Sequence, residues 1–263
     1  MVHFIVATHF EAKPLIDFFK LKKKNHIEEF QLFYNEDISL TICGIGKINA
    51  ALAVTHTYFE FGQKKNKIWI NVGLAGHKNL DIGELILVNK ISDNNSNYKF
   101  FPFFHKKYNL NKKHCTTYDY QNKNYNESLS DMEASGFYAA ANKYSTNELI
   151  HSMKIISDNK IESIDFRNKK QVYKTIYKSV DKIFFFSKEI SLLKNEFYSD
   201  TLSIDRETNR IFKKINFTYS EKEQFKKILR LYLSRNSKKK IDLINYSDDA
   251  KTNIKKLKKY LKI

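Results

Sequence analysis

Apolar residues in this chain follow two rhythms. Runs such as "HFIVA" (3–7), "FQLFY" (30–34) and "ISLTICGIG" (38–46) are short and rich in β-branched or aromatic residues, as strands are. "FEAKPLIDFF" (10–19) and "GKINAALAVTHTYFEFG" (46–62) instead repeat their apolar positions every three to four residues, as helices do. "KIWINVGLAG" (67–76) is an unbroken apolar run ending in glycine, the pattern of a strand buried on both faces. "IGELILVNKIS" (82–92) predicts another strand. The segment 94–128 is polar and aromatic, with "CTTYDY" (115–120) its best strand candidate. A helix is expected from the Met-Glu pair of "LSDMEASGFYAAANKYS" (129–145), a strand over "LIHSMKIISDN" (149–159), and one long helix over "KKQVYKTIYKSVDKIFFFSKEISLL" (169–193). Strands alternating with helices predict an α/β domain with a mostly parallel sheet.

The pattern changes at about residue 196. "YSEKEQFKKILRLYLSR" and "SDDAKTNIKKLKKYLKI" read as two helices, the second with Ser247 or Asp248 as N-cap. The expected organisation is therefore an α/β domain over 1–195 and a basic helical extension over 196–263.

Composition narrows the classes. The 263 residues are 42% hydrophobic and 14% aromatic, enough to bury a sizeable core. No window approaches 18 uninterrupted apolar residues, so no membrane partner is expected. The start, "MVHFIVATHFEAKPL", lacks the basic segment and cleavage site of a signal peptide. Two cysteines, Cys43 and Cys115, make no disulfide framework. These features predict a soluble, cytoplasmic protein. A net charge of +17 raises a nucleic-acid reading, and residues 221–263 hold fourteen Lys and Arg against five Asp and Glu. Lysine far outnumbers arginine, however, whereas phosphate and base recognition favour arginine forks. Abundant Lys, Asn, Ile, Phe and Tyr with only 7 Gly and 2 Pro also fit AT-rich coding. A nucleic-acid partner is thus not the favoured reading.

In open α/β sheets, ligands sit beyond the carboxyl ends of the strands. "ATHFEAK", "CGIGKINAA", "NVGLAGH" and "IISDN" all fall at such ends. They bring Glu11 and Asp158 to one rim, and the helix of "DMEAS" can bring Glu133 there too. Singly, each has a plainer reading: Glu11 and Glu133 as helix-start carboxylates, Asp158 as a turn residue or cap. For Glu133 the small residues behind it, Ala134, Ser135, Gly136 and Ala139 to Ala141, favour a placed group. "GIGK" fits neither the dinucleotide motif, since Asn49 stands where the third glycine belongs, nor the P-loop, since Ile48 follows the lysine. The eight histidines form no HExxH and no Cys/His cluster, so neither a metal nor another cofactor is expected.

In sequence order, "IVATHFEAKPL", "ICGIGKINAALA", "INVGLAG", "DIGELILV", "DMEAS" and "KIISDN" resemble the purine nucleoside phosphorylase and nucleosidase superfamily. The branch they are most similar to is the methylthioadenosine/S-adenosylhomocysteine nucleosidases, over roughly residues 1–192. The resemblance implies a three-layer α/β/α fold around a mixed sheet, here with a C-terminal helical extension. It also implies cleavage of the N-glycosidic bond of a purine nucleoside through an oxocarbenium-like transition state. Asp158 would protonate the leaving base, with Ser157 and Asn159 orienting it, and Glu11 would activate water. Glu133 would accept the ribose hydroxyls and Met132 would contact the sugar. Leu74, Ala75 and Gly76 would line the pocket, and Tyr118 or Tyr120 would stack on the base.

Three departures set this chain apart from that branch. Leu74 stands where a small polar residue is usual, the stretch between "VGLAG" and "DMEAS" is short, and the extension is additional. The family's phosphorylases hold phosphate with arginines and a serine near the first and fourth strands. "THFEAK" and "NVGLAG" have neither, which favours hydrolysis. A phosphate-dependent phosphorylase is the first alternative, and a non-catalytic nucleoside-binding or nucleic-acid-associated protein the second. The implied partners are a small-molecule nucleoside and a second copy of the chain in a homo-oligomer, as a dimer.

Overall fold

A computed structural model describes residues 1–25, 29–63, 66–235 and 244–262. Ten strands join in one sheet. They are β1 (Val2–Val6), β2 (Lys22–Lys23), β3 (Gln31–Tyr34), β4 (Ile38–Ile42), β5 (Ile68–Gly76), β6 (Leu85–Asp93), β7 (Lys99–Phe100), β8 (Asn111–Thr117), β9 (Leu129–Asp131) and β10 (Ile150–Asp158). The spatial order β10-β6-β8-β9-β5-β1-β4-β3-β2 has a second β10–β5 pairing. Strands β5, β10, β6, β8 and β9 thereby close a ring, and β1, β4, β3 and β2 extend from it as a wing. Helices α1 (His9–Phe19), α2 (Lys47–Glu60), α3 (Ala134–Ala141) and α4 (Lys169–Tyr177) cover both sides of the sheet. Helix α1 packs on α4, and α2 on α3.

The expected α/β class and its mixed sheet are present. The longest pairings, β5–β10 and β6–β8, are parallel, as are β1–β4, β1–β5 and β8–β9, while β3–β4, β5–β9, β6–β7, β2–β3 and β6–β10 are antiparallel. Strand β8 lies earlier than "CTTYDY" because polar "NKKHC" pairs along β6, where position in the sheet outweighs propensity. Strand β9 is three residues long and too short for a periodicity to register.

The long helix expected over 169–193 is two helices, α4 and α5 (Val180–Lys214). The Ser179 carbonyl accepts the first bond of α5 from the Ile183 N–H at 3.0 Å, and Asp181 sits in its first turn. That start signal lies inside a continuous amphipathic pattern, which hides it. Helix α5 also runs straight through the expected boundary at 195. The chain divides into compact units at Met1–Ser191 and Leu192–Ile263. The second contains α6 (Tyr219–Arg235) and α7 (Ala250–Leu261), with a core of Phe225, Leu229, Ile254 and Leu257. The N-cap of α7 is Asp249, whose side chain accepts the Thr252 N–H at 2.7 Å, rather than Ser247 or Asp248. Residues 236–243 of the basic segment lie outside the described residues.

The first unit packs around Trp69, Phe137, Ile86, Val88, Ile150 and Ile156. Strand β10 is buried along its whole length, and β5 nearly so. Strands β1, β4, β5 and β10 are parallel along β4–β1–β5–β10, so their carboxyl ends share one edge.

Candidate active site

At that edge lies a cavity of about 620 Å³, a size suited to a nucleoside. Glu11, Glu133 and Asp158 all line it, together with Met132, Leu74, Ala75, Gly76, Ser157 and Tyr120. Register explains how distant segments meet. Asp158 of β10 pairs with Gly76 of β5, and Gly76 pairs with Ser130 of β9, three residues before Glu133. The three carboxylates are 7%, 6% and 5% exposed, so each needs partners to offset its desolvation.

Asp158 has two hydroxyl partners. Ser157 Oγ donates to Oδ1, and the Tyr125 hydroxyl donates to Oδ2 at 2.6 Å. Burial, with the bond to Asp158 adding to it, pushes the Tyr125 hydroxyl up to about 12, so it remains a donor across the working range. Gly76 makes room for this pair: a Cβ there would lie 2.8 Å from both Asp158 Oδ2 and Tyr125 Cε1.

Glu133 stands at the start of α3, its Oε1 accepting the Gly46 N–H at 2.9 Å. Gly46 presents that N–H from φ +106°, a conformation suited to glycine, in the turn that opens α2. Asp131 secures the other side. Its Oδ2 accepts the N–H groups of Glu133 at 3.2 Å and Ala134 at 2.8 Å, and its Oδ1 accepts the Thr117 hydroxyl at 2.7 Å. Lys154 Nζ, wholly buried, lies 2.7 Å from the same Oδ2. At that distance the ammonium is the buried counter-charge of Asp131. Burial alone pulls Lys154 down, and Asp131 and Glu133 outweigh it, holding the ammonium above the usual lysine range.

Burial raises the Glu133 carboxyl to about 7; Asp131 and Glu11 add to the rise, while Lys154 and the Gly46 N–H oppose it. A folded-state value above the unfolded one means that this group's contribution to stability is full below the unfolded value of 4.5. That contribution is lost as pH rises through 7. A ligand held through two hydroxyls would run the other way, because only the carboxylate accepts from both at once. We expect kcat/KM to climb about tenfold per pH unit below 7 and level above it. Glu133→Gln should flatten that limb in a pH profile, and an unchanged limb would assign it to another group.

Glu11 is held from three directions. Oε2 accepts the Thr8 N–H at 2.9 Å and the Thr8 hydroxyl at 2.7 Å, forming a capping box for α1. Oε1 accepts the Leu74 N–H at 3.0 Å. A carboxylate has about four acceptor sites, so one is left for a water. The helix-start reading of Glu11 and its place in the cavity are both realised.

Two expected residues lie elsewhere. Asn159 binds the Leu80 carbonyl through Nδ2 at 2.9 Å and the Ile161 and Glu162 N–H groups through Oδ1, so it shapes the turn after β10 and does not orient Asp158. Tyr118 is half-buried outside the cavity, its N–H bonded to the Asp131 carbonyl at 2.8 Å. The small residues of α3 serve an approach to α2 more than to the sheet: a Cβ on Gly136 would stand 1.9 Å from the Lys47 carbonyl oxygen.

Sequence reasoning missed Lys154, Asp131, Tyr125 and Thr8. A lysine inside the apolar strand "IHSMKIISD" was the legible signal for the first. Thr8 followed three residues later by Glu11 was the signal for the capping box. Nothing in the sequence marks Tyr125 among sixteen tyrosines.

No family model and no curated protein matches the chain. Solved structures do match. An apo 5′-methylthioadenosine nucleosidase of Arabidopsis thaliana is 18% identical with a TM-score of 0.59, over 71% of this chain and 95% of that one. A Campylobacter jejuni 5′-methylthioadenosine/S-adenosyl homocysteine nucleosidase is 18% identical with a TM-score of 0.55, over 71% and 98%. A futalosine hydrolase mutant of Helicobacter pylori is 14% identical with a TM-score of 0.52, over 72% and 98%. The chain shares the fold of these solved structures. Those structures are nucleosidases and a hydrolase, and they are what the chain is similar to.

Proposed function

We propose that the chain is a nucleosidase that hydrolyses the N-glycosidic bond of a purine nucleoside. The observation that carries this reading is the convergence of Glu11, Glu133 and Asp158 on one nucleoside-sized cavity. The base lies at the Asp158 end, flanked by Gly76 and Tyr120, and the ribose lies over Met132 with its 2′ and 3′ hydroxyls on Glu133. As the C1′–N bond breaks, its electron pair goes to the base, and protonated Asp158 delivers a proton to a base nitrogen. Positive charge grows on the ribose and is stabilised by the Glu133 carboxylate. A water on the free acceptor site of Glu11 attacks C1′ and gives up its proton there. The products are free base and free ribose sugar, and water resets both carboxyl groups. The base would then be open to salvage.

Water is favoured over phosphate because among the described residues no arginine or lysine lines the cavity, while two carboxylates stand where an anion would have to sit. Turnover in H₂¹⁸O should therefore place one label on the C1′ hydroxyl and should not depend on phosphate. A product carrying phosphate at C1′ would make the protein a phosphorylase and leave Glu11 without its role.

Buried free Cys43 and Cys115 fit a reducing, cytoplasmic setting. Homo-oligomerisation belongs to the same proposal. Ile45, Ile48, Leu52 and Phe59 leave an exposed apolar stripe along α2 and the turn before it, and Ile45 reaches the cavity rim. A dimer closing that rim would show in sedimentation at about twice the 31.2 kDa chain mass.

A further inference from the structure

A second cavity, of about 450 Å³, adjoins the first. It is lined by His9, Lys13, Lys169, Lys170 and Lys174, with the Phe10 and Tyr173 rings. Among the described residues no carboxylate lines it. Asp17 pairs with Lys13 at 2.6 Å and is hydrogen-bonded to the Tyr173 hydroxyl, whereas among the described residues Lys169, Lys170 and Lys174 form no ion pair. Lys169 Nζ instead lies 5.0 Å from the centre of the Phe10 ring.

Phe10 lines both cavities. The segments that border the nucleoside cavity at Thr8–Glu11 and Val172 carry the lysines within about one turn to either side, along α1 and α4. With the base at Asp158 and the ribose hydroxyls on Glu133, the part of a nucleoside left to point at Phe10 and Val172 is its 5′ arm. Asp17 offsets Lys13 alone, so a cavity with three further ammonium groups that have no carboxylate partner among the described residues, placed where that arm ends, is complementary to an anion.

Resting on the nucleosidase reading, we infer that the substrate carries an anionic group on its 5′ arm, and that Lys169, Lys170 and Lys174 recognise it. A phosphoryl group on the substrate and free inorganic phosphate share this chemistry. The tethered group is the one that fits, because Phe10 and Glu11 stand between the lysines and the position where C1′ would be attacked.

The test compares base release from adenosine 5′-monophosphate, 5′-methylthioadenosine and adenosine in phosphate-free buffer, with one further arm of adenosine plus inorganic phosphate. Wild type is run beside the triple variant Lys169→Glu/Lys170→Glu/Lys174→Glu, whose side chains are all exposed. The wild-type kcat/KM for the monophosphate should exceed that for adenosine about tenfold or more, and the variant should lose that ratio. A wild-type preference for either uncharged nucleoside, or a ratio the variant leaves intact, would overturn the inference. Stimulation of adenosine cleavage by free phosphate would also overturn it, by moving the anion off the substrate. Base release from none of the three would count against the nucleosidase reading itself. Calorimetric binding of adenosine 5′-monophosphate then decides the anion site alone: weaker binding in the variant supports it, and equal or absent binding in both proteins refutes it.

Discussion

Asp158→Asn is expected to lower base release by about 10²- to 10⁴-fold, the usual worth of a general acid. The amide keeps the shape of the carboxyl but cannot deliver a proton to the leaving base. It also cannot accept at both positions, so either Ser157 Oγ or the Tyr125 hydroxyl loses its acceptor. That loss should cost about 1–2 kcal/mol of stability. The large kinetic effect with a small structural one distinguishes an acid from a turn residue. Parallel kinetics and denaturant unfolding measure both. An active Asp158→Asn enzyme would return Asp158 to the role of turn residue.

Gly136→Ala is expected to be the most damaging of the glycine-to-alanine changes. The added Cβ would stand 1.9 Å from the Lys47 carbonyl oxygen and 2.5 Å from its carbonyl carbon. Both are backbone atoms at the start of α2, so no rotamer change relieves the clash and the helices must separate. Overpacking of this kind costs about 3 kcal/mol or more. The effect reaches the site, because Gly46 next to Lys47 supplies the N–H on Glu133. Lys47 also holds Asp93 at 2.9 Å and Asp119 at 2.8 Å, and Ser135 donates to Asp93 at 2.7 Å. Lower unfolding midpoints should therefore accompany weaker nucleoside binding. A variant of wild-type stability would show that α2 and α3 do not meet as closely as the structure has them.

Much of the fold was legible because its strongest signals are local. The apolar runs at 68–76 and 150–158 could hardly be anything but buried strands, and α1 and α2 carry clean helical periods. What stayed hidden depends on pairing across the chain. Strand β9 exists because Cys115 and Gly76 offer partners, and no window around "LSD" shows it. The same limit applies to the site. Glu11, Glu133 and Asp158 could be named from strand ends and from resemblance. Tyr125 reaches Asp158 only because Gly76 leaves the space, and Lys154 becomes the counter-charge of Asp131 only once β10 is threaded into the ring. Asn159 shows the reverse error, since a residue beside the acid in sequence turned out to serve the turn.

The most direct measurement is chromatographic detection of free base after wild-type protein is incubated in phosphate-free buffer with methylthioadenosine, S-adenosylhomocysteine, adenosine, inosine and adenosine 5′-monophosphate. Glu11, Glu133 and Asp158 in a nucleoside-sized cavity predict release of adenine or hypoxanthine from at least one of them, catalytic in protein. No release from any of the five, by protein shown to be folded, would contradict the claim that this cavity breaks a glycosidic bond.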